Sequence, residues 1–522
     1  MTITAESAAT FEPVQTIFEK GRSGRRAFVA PENDVPERDP LALLPAHLRR
    51  AHPARLPEVS EPELVRHYVR LSRRNFDLDS GFYPLGSCTM KHNPRLHERC
   101  AALPGHARLH PFQSPAHAQG ALELMWNLQH ALSEIAGLPH VSLQPSAGSH
   151  GELAGVLLTR AYHEDRGEHR TRVLIPDTAH GTNPATVTMA GLEVVKLKTN
   201  PAGGIDLEDL RAKADSTVAC LMLTNPNTLG IFDSNITEIA SIVHSVGATL
   251  YYDGANLNAI MGIARPGDMG FDIVHFNLHK TFTQPHGGGG PGSGPIAVSD
   301  RIEPYLPRPT IVRREREHTQ GENGGARPAL EYDLDLDRPK SIGRLRGFQG
   351  NYGCFVRAYA YICSLGADGL LDASVTAVLN ANYLLARLQR AGVGELLPLA
   401  YPQTDDGAVE GPRLCMHEFV LSGSPMKREL SIRTLDLAKR LLDHGFHPPT
   451  VYFPLLVDEA LLVEPTETET KETLDAFADA IAEILLEARR DPEIARQAPY
   501  TTPVRRLDEA GAARNPVIRQ EL

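Results

Sequence analysis

The sequence predicts an α/β protein organised around a mostly parallel sheet, and two observations carry that prediction. From about residue 120 to 300, short β-rich runs alternate with helix-like stretches, the strand–crossover–strand order of a parallel sheet. Polar or glycine-rich segments follow the strand runs, and ligands of parallel sheets sit at the carboxyl ends of strands.

In chain order, residues 1–60 are rich in proline and charge (Pro31, Pro36, Pro40, Pro45, Pro53, Pro57) and read as an extended arm. With helices added up to residue 80, they make an N-terminal unit, 1–80. The large domain, 81–345, carries strand runs at 172–175, 218–223, 248–252, 273–276 and 296–298. Helices fall at 151–163 and 235–246, and ligand-side segments at 176–183, 224–230, 253–258 and 277–294. Residues 301–345, rich in Pro, Arg and Glu, read as a long loop. A smaller α+β C-terminal domain, 346–495, has helices at 356–365, 374–390 and 470–487. Its strand runs lie near 416–421 and 461–463. Residues 496–522 are a polar tail.

The 522 residues suffice for two to four structural units and a full core. A net charge of −11, without a Lys/Arg cluster, argues against nucleic acid as a partner. Cys88, Cys100, Cys220, Cys354, Cys363 and Cys415 form no CxxC pair, so reduced thiols are expected and no metal site. The first fifteen residues resemble neither a secretory signal nor a transit peptide. No run approaches the roughly 18 apolar residues of a membrane span. The expectation is a soluble, cytoplasmic protein.

The ligand-side segments concentrate the chemistry. Lys280, in Asn277-Leu278-His279-Lys280-Thr281, follows a strand and precedes the glycine-dense 287–294. Such a lysine can form a Schiff base with an aldehyde cofactor, although a lone lysine there is ordinarily solvated. Asp253 lies about one βαβ unit earlier, in Tyr251-Tyr252-Asp253-Gly254-Ala255-Asn256. It can pair with a protonated pyridine nitrogen and make the ring an electron sink, with Ala255 against one ring face. Alone, it would read as a turn or helix cap. Ser146-Ala147-Gly148 opens a helical stretch whose free N–H groups can cradle a phosphate, or serves as a plain N-cap. His180 can stack on a cofactor ring, and Asn225 can reach a ring hydroxyl or belong to a proline turn. The order phosphate loop, His, Asn-Pro, Asp-x-Ala, Lys resembles fold-type-I pyridoxal-phosphate (PLP) enzymes. The glycine-dense loop lacks the Gly-Lys-Ser/Thr of a nucleotide P-loop.

Longer motifs narrow this further. They are Phe276 to Phe282, then Pro285-His286 and 287–295; Tyr83-Pro84-Leu85-Gly86-Ser87-Cys88-Thr89-Met90-Lys91; Tyr252 to Asn258; and Glu464-Pro465-Thr466-Glu467-Thr468-Glu469. With them, the chain resembles glycine decarboxylase, the P-protein family of the glycine cleavage system. At this length it resembles the lysine-bearing half, subunit 2 of the split bacterial form. The resemblance implies a seven-stranded fold-type-I large domain, PLP bound covalently on Lys280, and catalytic roles for Lys280, His180 and Asp253. It implies cofactor contacts from Ser146, Ala147, Gly148, Asn225, Ala255 and His279. It further implies decarboxylation of glycine, with the aminomethyl group passed to the lipoyl arm of H-protein. The implied partner is subunit 1, in a heterotetramer. Arg, His and Thr residues near 83–91 are candidates for the glycine carboxylate, and Cys88 reads as structural. The alternative is another fold-type-I decarboxylase or aldolase that needs no lipoyl carrier.

Overall fold

A computed structural model of the chain describes residues 14–52, 54–287, 292–315, 330–401 and 414–519. The chain divides into two units, 1–81 with 496–522, and 82–495.

In the second unit, seven strands form one sheet: β1 His140–Ser142, β2 Arg172–Pro176, β3 Glu193–Leu197, β4 Val218–Leu223, β5 Thr249–Gly254, β6 Ile273–Phe276 and β7 Ile296–Val298. Their order is β1-β7-β6-β5-β4-β2-β3, and β7 alone runs antiparallel to its neighbours. The mostly parallel sheet expected from the alternating pattern is present. β4 and β5 are buried along their whole length, because helices cover both faces. Side chains alternate between the faces with period two. Val173, Ile175, Cys220, Met222, Tyr251 and Ile273 pack against Ala154 and Leu158 of the helix Gly148–Asp165. Leu174, Leu221, Leu223, Leu250, Tyr252 and Val274 share the opposite core with Leu128 and Leu132 of the helix Gln119–Ala136. Burying one such leucine contributes about 2 kcal/mol.

The long-loop reading of 301–345 is corrected. β8 Thr310–Glu315 and β9 Leu330–Asp335 pair antiparallel as a two-stranded ribbon, with 316–329 between them outside the described residues. The two helices expected at 356–365 and 374–390 are present within Tyr352–Arg390, where non-helical Gly366 (φ 65°, ψ −173°) separates them. By length and composition this helix could cross a membrane. Its first half nevertheless contributes Phe355, Ala358 and Tyr361 to the sheet core, and its second half Leu384 and Leu388 to the C-terminal core.

That second core lies under a small antiparallel sheet, β10 Phe419–Ser422, β12 Ala460–Val463 and β11 Thr450–Val451, in the order β10-β12-β11. The helix Lys471–Arg490 covers it with Leu474, Phe477, Ile481 and Ile484, an i, i+3, i+7, i+10 stripe. In the first unit, the helix Glu61–Ser72 starts at a capping box of Ser60 and Glu63. Among the described residues of the polar tail, Glu509–Arg514 forms a short helix.

Candidate active site

Neighbouring strands β5 and β6 end side by side, with Asp253 opposite His275 and Gly254 opposite Phe276. Their carboxyl ends open onto a cavity of about 520 Å³ whose lining includes Asp253, Ala255, His279, Lys280, Ala147 and Gly148. The ligand-side segments read from the sequence therefore meet at one place.

Asp253 is almost fully buried. Its carboxylate accepts the Ala255 N–H at 3.1 Å and lies 3.4 Å from His275 Nε2, within ion-pair reach but without a hydrogen bond. His275 Nδ1 is 2.6 Å from the Tyr251 hydroxyl. Burial holds this imidazole below the usual histidine value, which favours its neutral form.

Lys280 follows β6 in a turn and is half-buried, and its Nζ donates to the Ser87 carbonyl at 2.8 Å. Burial, then the Lys280 charge, drives neighbouring His279 down to about 3, and its Nδ1 has no hydrogen-bond partner among the described residues. His180 stands at the exposed rim, with Nδ1 3.0 Å from Thr182 Oγ1.

The helix Gly148–Asp165 starts at the cavity, with Ala147 at its N-cap and Ser149 also in the lining. Its first-turn N–H groups have no intrahelical acceptor. A Cβ at Gly148 would overlap the Asn277 amide, so glycine lets strand end and helix start touch. One turn on, Glu152 accepts from Thr182 Oγ1 at 2.8 Å and Thr186 Oγ1 at 3.1 Å. Burial and the Asp253 charge push its carboxyl up to about 7.

Seven of the nine residues expected from the sequence line this cavity: Lys280, Asp253, Ala255, His180, Ala147, Gly148 and His279. Two do not. Asn225 is fully buried, its side-chain oxygen accepting the Asp233 N–H at 2.8 Å while its backbone carbonyl takes the Tyr252 hydroxyl. Its amide is thus committed to the turn, and Thr224, Pro226 and Asn227 line the cavity instead. Ser146 lies one residue outside the lining, its Oγ 3.3 Å from His150 Nδ1. Residues 288–291 of the glycine-dense loop lie outside the described residues.

Sequence reading missed His417 and Glu418, which reach the cavity from the C-terminal sheet. Only the β10 run beside them signals their position. Cys88 is half-buried, and burial raises its thiol above the usual value, which disfavours the thiolate. All six cysteines are free.

This set of donors fits PLP. A lysine amine, a buried carboxylate and the N-terminus of a helix share one cavity. Glycine is required where the backbone must approach closely.

Comparison with known proteins agrees with this geometry. Residues 39–320 match the family model "Glycine cleavage system P-protein", and 373–500 match "Glycine dehydrogenase, C-terminal domain". The chain is 54% identical over 506 residues to a probable glycine dehydrogenase (decarboxylating) subunit 2 of Bacillus licheniformis, covering 97% of this chain and 98% of that one. It is 53% identical to a protein of the same name from Caldanaerobacter subterraneus, over 96% of this chain and 98% of the other. Among solved structures, an inhibitor-bound glycine decarboxylase (P-protein) superposes with a TM-score of 0.68 at 21% identity, covering 85% of this chain and 94% of that chain. A NifS-like protein superposes with a TM-score of 0.56 at 14% identity, over 78% and 100% of the two chains. These likenesses establish the fold. The extent and identity of the sequence matches go further: the chain belongs to the glycine cleavage system P-protein family, among its glycine dehydrogenase (decarboxylating) subunit 2 members.

Proposed function

We propose that the chain decarboxylates glycine and passes the aminomethyl group to the lipoyl arm of an H-protein. It does so with a related subunit 1 in a cytoplasmic heterotetramer. The observation that carries this reading is the meeting of Lys280, Asp253 and the N-terminus of Gly148–Asp165 in one cavity, in a chain of this family.

In this reading Lys280 Nζ is the covalent attachment point of PLP. Asp253 would pair with its ring nitrogen, His180 and Ala255 would lie against the ring, and the N–H groups of Gly148 and Ser149 would take the phosphate. Bound there, PLP supplies the electron sink for the electron pair left behind when the carboxylate departs as CO2. The chain's own residues prepare for this. The Ala255 N–H holds Asp253 in place, with the His275 imidazole 3.4 Å away. The Ser87 carbonyl holds the Lys280 amine at the cavity wall. Neutral His279 adds no cation beside it.

The test is release of CO2 from carboxyl-labelled glycine. Release is expected only when this chain, subunit 1 and lipoylated H-protein are all present. Turnover by this chain without a lipoyl carrier would favour a self-sufficient decarboxylase or aldolase.

A further inference from the structure

The segment 83–91 holds two residues in a conformation that side chains resist. Ser87 and Thr89 have φ of 60° and 55°, the left-handed region that non-glycine residues keep only under outside constraint. Each is pinned by a buried carboxyl group. Ser87 N–H donates to Glu418 Oε2 at 2.7 Å, and its Oγ lies 3.1 Å from Glu418 Oε1. Thr89 donates its N–H to Glu464 Oε2 at 2.9 Å and its hydroxyl to Oε1 at 2.8 Å. The register explains why two acids stand together. Phe419 of β10 pairs with Val463 of β12, so Glu418, just before β10, and Glu464, just after β12, flank the same rung. A Cβ at Gly86 would run into the Leu462 backbone, which shows how closely the segment lies on β12.

The product of this arrangement is the direction of one carbonyl. Ser87 C=O faces the cavity and accepts Lys280 Nζ at 2.8 Å. We propose that Glu418 is a positioning residue for Lys280: by pinning left-handed Ser87, it holds the Ser87 carbonyl as the resting acceptor of the lysine amine whenever the cofactor does not engage it. The inference rests on attachment at Lys280. An amine released by substrate needs such a place, because a group kept near its point of return reacts again without a search. Burial and the Glu464 charge push the Glu418 carboxyl well above the usual range. Glutamine is therefore a close mimic of its neutral form.

The test uses two readouts. In cofactor-free protein, Lys280 is acylated by a limiting amine reagent and its labelling followed by peptide mapping. Glu418→Ala is expected to raise the labelling rate about tenfold, as loss of a buried hydrogen bond to the loop implies, while Glu418→Gln stays within about twofold. In the holoenzyme complex, the lysine-linked absorption should return more slowly by a similar factor after glycine is removed, with KM for glycine little changed. Ser87→Ala removes the Oγ anchor and leaves Glu418 in place. It should show the same pattern more weakly, and it decides the question if Glu418→Ala does not fold. Wild-type labelling and return in the alanine variant that folds would overturn the proposal. So would a glutamine variant that behaves like alanine. If borohydride fixes PLP on another lysine, the attachment reading fails instead, which separates the two failures.

Discussion

Glu152 and Asp253 face the same cavity, and burial makes their charges compete. In the cofactor-free protein Glu152 keeps its proton until the pH nears about 7, whereas the unfolded chain loses it near 4.5. The folded state therefore binds more protons between those values, and stability falls as pH rises through that window. The contribution is full below pH ~4.5 and on the order of 3 kcal/mol. Glu152→Gln should flatten this part of the stability–pH curve, measured by urea unfolding from pH 4.5 to 7.5. An unchanged slope would show that Glu152 is not the group responsible. Asp253 carries a different expectation. Asp253→Asn keeps the shape of the wall but removes the charge proposed to pair with the ring nitrogen. The cofactor should still be fixed by borohydride, while CO2 release falls about 10²–10³-fold, as when one preorganised electrostatic partner is lost. Retained turnover would argue against that role.

At the scale of elements, the site exists because strand ends and one helix start converge. Gly148 is one close joint, where a side chain would strike Asn277. Gly148→Ala should push the helix start from the strand ends and weaken cofactor binding by about tenfold or more, equivalent to about 1.4 kcal/mol per factor of ten. Far-ultraviolet circular dichroism should stay close to wild type, and spectrophotometric titration with PLP gives the affinity. An unchanged affinity would remove this helix start from the phosphate site.

The same scale shows what could be read from residues alone. Buried parallel strands such as β4 appear as unbroken apolar runs, and the polar segments after them mark the ligand side, so Lys280 and Asp253 were legible. The β8–β9 ribbon was not, because Arg313, Arg314 and Glu315 occupy exposed positions in β8, and only Ile311, Tyr332 and Leu334 reach the core. His417 and Glu418 were invisible for another reason. They matter through the β10–β12 register, a pairing between segments some forty residues apart that no local pattern announces. Asn-Pro suits both a ligand and a turn, and the Asn225 amide here bonds the Asp233 backbone.

For the whole molecule, the family follows from motifs spread along nearly the full chain, and identity above 50% across 97% of it agrees. The N-terminal unit leaves Phe28, Val29, Leu43, Leu48 and Leu56 exposed on an arm with little core of its own. The proposed reaction needs more than one chain, yet its first requirement lies within this one, a covalent bond from one amine to the cofactor. Borohydride reduction of the cofactor-loaded protein, followed by peptide mapping, tests that requirement most directly. The predicted result is a single modified peptide carrying the reduced cofactor on Lys280, absent from Lys280→Ala. A label on any other lysine, or none at all, would contradict it.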